Sequence, residues 1–182
     1  MVIGLTGPNA AGKGEAAIYI KSKSFIYHSL SDILREEAKK SGIEPSRENL
    51  INLGNELRRK NGPAFLAVRA MKRLAAAEDH IVDSIRNPGE IEALRKTKDF
   101  ILLGIDGPVE TRFNRILKRN REGDPKTLEE FIKKEAEENK AATENQQLNN
   151  CLEKADEIII NDSTIEEFHK KIDEAIKKNK KT

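Results

Sequence analysis

Tryptophan is absent from this sequence of 182 residues, and aromatic residues make up only 4% of it. A hydrophobic core must therefore be built mainly from isoleucine, leucine, valine and alanine side chains. The single cysteine, Cys151, excludes an internal disulfide and any zinc site made of several cysteines. The three histidines, His28, His80 and His169, show none of the spacings that are typical of a structural transition-metal site.

The sequence also lacks a long apolar run and an excess of charge of one sign. No segment reaches the length that crosses a membrane, and a strand pattern begins at Val2, where a signal peptide would start. We therefore expect a cytoplasmic protein with no membrane partner. The 33 basic and 31 acidic residues nearly cancel, which argues against a nucleic-acid surface and makes the basic run at 177–182 a solvated tail. The length predicts one domain over residues 1–182, as a monomer or homodimer.

The segment from Val2 to Gly14 carries the strongest motif. A short apolar run leads into Gly7, four residues separate it from Gly12 and Lys13, and a helical pattern follows. This order is typical of a P-loop, in which backbone N–H groups and the positive end of the helix bind phosphates. Lys13 would bind the outer phosphates as a point charge.

One part of the P-loop motif differs from the usual pattern. Gly14 stands where the serine or threonine that holds Mg²⁺ normally follows the lysine, and Glu15 comes next. The Glu15 carboxylate would either stabilise the positive end of the helix or take part in binding Mg²⁺ through water. The sequence leaves both interpretations open.

Short apolar runs alternate with charged helical patterns along the rest of the chain, which indicates βαβ units and a parallel sheet. The predicted strands are Val2–Thr6, Phe25–Ser29, His80–Ser84, Phe100–Asp106 and Glu157–Asn161. The predicted helices are Gly14–Ser22, Ser31–Ser41, Arg47–Lys60, Pro63–Ala77, Pro88–Lys96, Val109–Arg121, Leu128–Ala142 and Ile165–Lys178. Three helices fall within residues 31–77, although a crossover needs only one. We expect this insertion to bind a substrate at the carboxyl edge of the sheet.

Two pairs of charged residues follow predicted strands. Asp83 ends the third strand, where a carboxylate holds Mg²⁺ or its waters in P-loop enzymes; alternatively it caps the next turn. Arg86 would clamp a substrate phosphate or be an ordinary surface arginine. Asp32 and Arg35 are three residues apart on one helix, so they form either an intrahelical ion pair or part of the substrate cleft.

The helix predicted over Val109–Arg121 has a basic stripe formed by Arg112, Arg115 and Arg119. The stripe is either a solvated face or a set of arginines that neutralises the charge of a phosphoryl group during its transfer. Gly123 and Pro125 then break the helix, which predicts a mobile lid over about residues 119–147.

With these motifs in order, the chain resembles the P-loop nucleoside monophosphate kinase superfamily over nearly its whole length. Gly7–Gly14 is similar to the adenylate kinase loop, in which a glycine also follows the lysine; Glu15 replaces the threonine of that family. Ser29–Arg35 and Asp83–Arg86 resemble acceptor-binding segments, and residues 155–162 are similar to the adenine-side loop of dephospho-coenzyme A kinases. This chain looks most like two groups of proteins. They are the kinase-like domain that is joined to some deoxycytidylate deaminases, and archaeal adenylate-kinase-related proteins. With one cysteine, no zinc deaminase domain is expected.

The resemblance implies a three-layer α/β/α fold with a five-stranded parallel sheet of order 2-3-1-4-5. It implies transfer of a phosphoryl group from ATP, with Mg²⁺, to a small nucleotide acceptor, a nucleoside monophosphate. Dephospho-coenzyme A kinase and a non-catalytic nucleotide sensor are the alternatives. The implied nucleotide-binding residues are Gly7, Asn9, Ala10, Ala11, Gly12, Lys13, Gly14, Glu15 and Asn161. The implied acceptor-binding residues are Ser31, Asp32, Arg35 and Arg86. The implied catalytic residues are Lys13, Asp83, Arg115 and Arg119, with Asp83 holding Mg²⁺ through water.

Overall fold

The five predicted strands form one parallel sheet in the computed structural model, which describes residues 1–121, 123–139 and 145–180. The strands are β1 (Val2–Thr6), β2 (Ile26–Ser29), β3 (His80–Asp83), β4 (Phe100–Asp106) and β5 (Glu157–Ile160). Their order in the sheet is β2-β3-β1-β4-β5, and every neighbouring pair is parallel. The fold class and the strand order implied by the resemblance are therefore confirmed.

Alternate side chains of the central strands enter two separate cores, because successive residues of a strand point to opposite faces. In β1, Val2 packs into the core on one face and Ile3 into the core on the other. Their neighbours Val82 and Ile81 in β3 divide in the same way. Both faces of the sheet are covered, which explains the nearly continuous apolar sequence of these strands.

Nine helices surround the sheet within the described ranges. They are α1 (Lys13–Lys21), α2 (Leu30–Lys40), α3 (Arg47–Asn61), α4 (Phe65–Met71), α5 (Pro88–Leu94), α6 (Val109–Arg119), α7 (Leu128–Glu138), α8 (Leu148–Glu153) and α9 (Ile165–Asn179). As expected, α2, α3 and α4 occupy the interval between β2 and β3. None of the described helices has the length and apolar character needed to cross a bilayer.

Several helices end earlier than predicted, α1, α2 and α5 by one or two residues. α4 ends at Met71, because the chain then forms short turns, such as the Arg73 N–H to Ala70 carbonyl bond, before β3 begins. α6 ends at Arg119, because Asn120 adopts a left-handed conformation with φ 43°. The end predicted for α7 at Ala142, part of the predicted lid (residues 122 and 140–144) and the last two tail residues lie outside the described residues.

The short helix α8 was not predicted from the sequence. Leu148 and Cys151 are its buried residues, and it packs against α5, β1 and β4. The apolar spacing of Leu148, Cys151 and Leu152 is a helical signal, but six residues are too few for it to stand out. Tertiary packing on the sheet therefore stabilises a helix that is marginal alone.

Candidate functional site

The loop between β1 and α1 adopts a conformation that only its glycines allow. Gly7 has φ 134°, and a Cβ there would lie 1.9 Å from the Ile105 carbonyl oxygen. Gly12 has φ 111°, and its Cβ would lie 2.2 Å from Nδ2 of Asn161. Ala10 is also left-handed, with φ 59°, a conformation that is costly for a residue with a side chain. The loop is therefore wrapped tightly, as a phosphate-binding loop has to be.

Lys13 lies at the start of α1 and folds back over the loop. Its Nζ donates hydrogen bonds to the carbonyl oxygens of Gly7, at 2.7 Å, and Pro8, at 2.6 Å. Burial, and after it the charge of Arg86, lower the pKa of Lys13 from 10.5 to about 7. The ammonium group thus occupies the mouth of the loop, and its hydrogen-bond acceptors among the described residues are backbone carbonyls.

Glu15 is directed towards α9. Its Oε1 lies 2.8 Å from Nε2 of His169, whose ring stacks on Tyr19 with 3.8 Å between the centroids. This contact favours the interpretation in which Glu15 does not take part in binding Mg²⁺, because its carboxylate already pairs with His169. A Cβ at Gly14 would meet no atom within 4 Å, so the glycine is not required there for space.

Asp83 ends β3 beside the P-loop strand and is only 8% exposed. One carboxylate oxygen accepts the N–H of Ser84, at 2.5 Å, and the other accepts the hydroxyl of Tyr27, at 3.1 Å. Burial and the charge of Asp83 raise the pKa of Tyr27 to about 12, so this phenol stays a donor. Asp83 therefore caps the turn, and its charge also acts on Lys13 across the site.

Arg86 is largely buried, and desolvation lowers its pKa, so it is not an ordinary surface arginine. Its Nη1 donates to Oε1 of Gln146, at 3.0 Å, and its carbonyl accepts the N–H of Gln147. The Arg86 N–H donates to Glu90, which is completely buried and also binds Arg58. Arg86 is thus held between the start of α5 and the segment before α8.

Arg112 connects the P-loop to α7. Its Nε donates to the Gly107 carbonyl, at 3.0 Å, and its Nη1 to the Asn9 carbonyl, at 3.2 Å. The same nitrogen pairs with Glu135, and the guanidinium lies 5.2 Å from the Phe131 ring centroid. Only 7% of Arg112 is exposed. The interpretation of the arginine stripe as a solvated face is therefore wrong for this residue.

The other two arginines of the stripe are also engaged. Arg115 donates to the carbonyl oxygens of Ala11, at 3.2 Å, and Asn161, at 3.0 Å. Asn161 itself donates to the Ala11 carbonyl through Nδ2, at 2.8 Å. Arg119 forms a two-pronged pair with Asp124, at 2.9 and 2.7 Å, which lowers the pKa of that carboxyl. α6 therefore supports the loop and the start of the predicted lid.

Two predicted residues of α2 bind each other, and the charge of Asp32 also acts on Tyr27, which binds Asp83. Arg35 pairs with Asp32 at 2.7 Å, and more than half of each side chain is exposed. Ser31 is in the first turn of the same helix, two residues after the N-cap residue Ser29. The observed contact is the intrahelical ion pair that the sequence offered as one interpretation.

A cavity of about 930 Å³ lies beside the loop, between α3 and α7. The lining residues are Asn9, Glu44, Pro45, Ser46, Arg47, Glu48, Ile51, Asn55, Gly123, Asp124, Pro125, Phe131, Lys134, Glu135, Glu137, Glu138, Asn145 and Gln146. Ser31, Asp32 and Arg35 are not among these described lining residues. Arg47 of α3 pairs with Glu138 of α7 across the cavity.

Sequence reasoning missed several residues of this region. No sequence pattern identified Tyr27 as a site residue, because tyrosine is a common residue in strands. Glu90 was detectable, since Asn87 and Glu90 form the capping-box spacing that starts α5. Within the described ranges, no group of three or more metal-ligating side chains is present. The role predicted for Asp83 in holding Mg²⁺ through water stays a prediction.

Comparisons with known proteins agree with this geometry. The model of the AAA domain family AAA_17 matches residues 6–133. A UPF0200 protein from Sulfurisphaera tokodaii is 33% identical over 177 residues, which cover 97% of this chain and 96% of that protein.

Two solved kinases share the architecture. A shikimate kinase from Aquifex aeolicus superposes with a TM-score of 0.59 at 19% identity, covering 98% of both chains. A gluconokinase from Sinorhizobium meliloti gives 0.55 at 11%, covering 97% of this chain and 91% of that one. These likenesses show the fold of P-loop kinases. The nucleoside monophosphate kinase subtype stays a prediction. The chain belongs to the AAA_17 family of AAA domains and is a member of the UPF0200 proteins.

Proposed function

We propose that this protein transfers the γ-phosphoryl group of ATP to a small acceptor, a nucleoside monophosphate, bound in the cavity between α3 and α7. One observation carries the proposal. Asn9 belongs to the P-loop and also lines the 930 Å³ cavity, so a nucleotide bound on the loop and an acceptor bound in the cavity would meet at this residue. Phosphoryl transfer requires such a meeting, because catalysis consists mostly of positioning and electrostatic stabilisation.

The residues present fit ATP and Mg²⁺. Lys13 is held only by loop carbonyls, which anionic phosphate oxygens can replace as its hydrogen-bond acceptors. The loop amides and the start of α1 would bind the phosphates, and Asp83 would hold Mg²⁺ through water. When bound, Mg²⁺ neutralises charge on the donor phosphates.

The remaining charged residues would fix positions and neutralise charge. Arg112 and Arg115 bind carbonyls of the loop, and we expect these contacts to keep the loop amides directed towards bound phosphates. Arg86 and Arg119 would supply positive charge to the site. A covalent intermediate on Cys151 is not expected, because burial raises the pKa of this thiol to about 12.

An acceptor panel tests the proposal. The protein is mixed with ATP, Mg²⁺ and single acceptors, namely each nucleoside monophosphate and dephospho-coenzyme A. Products are separated by ion-exchange chromatography, because coupling enzymes would also consume diphosphate products. ADP together with a nucleoside diphosphate supports the proposal. Turnover of dephospho-coenzyme A alone would show that this molecule, and not a nucleoside monophosphate, is the acceptor. Tight binding of ATP with no ADP produced in the presence of any acceptor would favour a nucleotide sensor.

ATP binding is also expected to take up protons at neutral pH. The pKa of Lys13 is about 7 in the free protein, so about half of the side chains are neutral at pH 7. Nearby phosphate anions stabilise the charged form and raise this pKa, so binding adds protons. The uptake should vanish well below pH 6, and ATP affinity should fall as the pH rises above 7.

Titration calorimetry at pH 7, in buffers with different ionisation enthalpies, measures this uptake. The control is Lys13→Arg, whose guanidinium is always charged and should bind without uptake. An identical binding enthalpy in every buffer for the unchanged protein would contradict the expectation.

A further inference from the structure

The contacts of Arg112 form a chain from α7 to the P-loop. Its Nη1 donates to Oε1 of Glu135, at 2.5 Å, and to the carbonyl oxygen of Asn9, at 3.2 Å. Its Nε donates to the Gly107 carbonyl, at 3.0 Å, which fixes the other side of the guanidinium. One arginine thus joins a carboxylate of α7 to the backbone of the loop.

The Asn9 carbonyl belongs to the peptide that precedes a strained residue. The C=O and the following N–H of a trans peptide point in opposite directions, and none of the described peptide bonds is cis. Holding the Asn9 carbonyl therefore sets the direction of the Ala10 N–H group. Ala10 has φ 59°, and a left-handed alanine persists only where surrounding contacts hold it. Arg112 supplies such a contact, because rotation of this peptide would change the φ angle of Ala10.

The next two peptides of the loop are held by other elements. Arg115 donates to the carbonyl oxygens of Ala10, at 3.3 Å, and Ala11, at 3.2 Å. Nδ2 of Asn161 also donates to the Ala11 carbonyl, at 2.8 Å. These donors come from α6 and from the residue after β5, whereas the donor to Asn9 also binds α7. The first of three successive loop peptides is therefore the one on which α7 acts.

Two side chains of α7 contact the guanidinium of Arg112. Glu135 follows Phe131 by four residues, so both lie on one face of the helix. The Phe131 ring centroid lies 5.2 Å from Cζ of Arg112, and the ring stacks on Phe113 of α6 with 6.0 Å between the centroids. Phe131 is only 1% exposed. The packing of these rings thus places Glu135 against the arginine.

Glu135 is the carboxylate to which this buried cation is hydrogen-bonded. Asp106 lies 3.9 Å from Nε of Arg112, outside hydrogen-bond distance. A buried guanidinium that loses its carboxylate keeps an uncompensated charge, so it turns towards water or another acceptor. Loss of the Glu135 carboxylate should therefore release the Asn9 carbonyl from Arg112.

The charges of this pair also act on the lysine of the loop. Burial has the largest effect on the pKa of Lys13, and among the smaller effects Arg112 lowers this pKa and Glu135 raises it. The ion pair therefore lies close to the group that would bind the outer phosphates.

We propose that Glu135 is a positioning residue of the P-loop, which holds the Asn9 carbonyl through Arg112 and so keeps the Ala10 N–H directed for phosphate binding. The inference rests on the proposed function, since it requires that the loop binds the phosphates of ATP. Because Glu135 comes from α7, the affinity for ATP depends on the packing of this helix against α6.

Titration calorimetry with ATP and Mg²⁺ at pH 7 measures the effect. Glu135→Ala is expected to raise the dissociation constant for ATP by about fivefold or more, the lower end of the coupling between separate sites of a protein. Glu135→Asp keeps the charge but shortens the side chain by one methylene group, so it should raise this constant too, and it replaces Glu135→Ala if that variant does not fold. The matched control is Glu129→Ala, which removes an exposed glutamate from the first turn of α7 and should leave the constant unchanged.

A double-mutant cycle and the kinetics distinguish positioning from a general loss of structure. Arg112→Met removes the donor to Asn9. In this background Glu135→Ala should weaken ATP binding no further, because the proposed effect passes through Arg112. With the best acceptor of the panel, KM for ATP should rise more than KM for the acceptor in both Glu135 variants.

Each outcome decides between the two levels of the proposal. Unchanged ATP affinity in both Glu135 variants would overturn the inference and leave the proposed phosphotransfer standing. Equal weakening by Glu135→Ala with and without Arg112→Met would contradict the path through Arg112, and a rise confined to KM for the acceptor would make Glu135 part of the acceptor site instead. Absence of ATP binding by the unchanged protein would overturn the proposed function, and the inference with it.

Discussion

Replacing Lys13 with alanine is expected to lower kcat/KM for phosphotransfer by about 10²- to 10³-fold, which is typical of removing one preorganised group that stabilises developing charge. Lys13 is the cation at the mouth of the loop, and its two present partners are backbone carbonyls that phosphate can displace. The measurement is initial-rate kinetics with the best acceptor of the panel.

Two comparisons make the Lys13→Ala result interpretable. Lys21→Ala changes an exposed lysine of the same helix and should keep normal activity. The melting temperature of Lys13→Ala should not fall, because the substitution removes a desolvated cation whose pKa is already lowered. Full phosphotransfer by Lys13→Ala would show that the P-loop assignment is wrong.

The second large effect is on stability. Glu90→Ala is expected to lower the free energy of unfolding by about 3–5 kcal/mol, as breaking a buried ion pair does. Glu90 is 0% exposed, binds Arg58 at 2.9 Å, and accepts the N–H groups of Arg86 and Asn87. The substitution therefore removes both the carboxylate partner of a buried guanidinium and the capping box of α5.

Urea denaturation measures this change, and Glu92→Ala on the exposed face of the same helix is the control. Should Glu90→Ala fail to fold, Glu90→Gln keeps the shape and should still lose more than 1 kcal/mol, since an amide cannot replace all of these acceptor contacts. A loss below 1 kcal/mol for both variants would mean that the pair contributes little.

The fold could be read from the sequence largely because its signals are local. Buried strands such as β4 are short apolar runs between charged helices. The bounds of β1 and β4 were predicted to the residue, whereas β2, β3 and β5 each differ from the prediction by one residue at one end. The strand order could not be predicted in this way, because apolar runs do not show which strands are neighbours. It was implied by the resemblance to known kinases. α8 was missed because only packing on the sheet stabilises it.

The candidate site was predicted unevenly for a physical reason. The P-loop is one continuous segment, so the spacing of Gly7, Gly12 and Lys13 was enough to identify it. The cavity is assembled from α3, α7 and the segment before α8, which are far apart in the chain. The orientation of Arg112 towards Asn9 depends on contacts between such distant segments, and no spacing predicts them. The roles proposed for Asp83, Arg86, Arg115 and Arg119 stay predictions.

The ion pair between Arg47 and Glu138 has a consequence for how a small molecule enters the cavity. About half of the Arg47 side chain is exposed, and exposed pairs of this kind contribute at most about 1 kcal/mol. The pair therefore joins α3 and α7 only weakly. Dissolved salt weakens it further. Entry of a small molecule into the cavity should accordingly be quicker in concentrated salt.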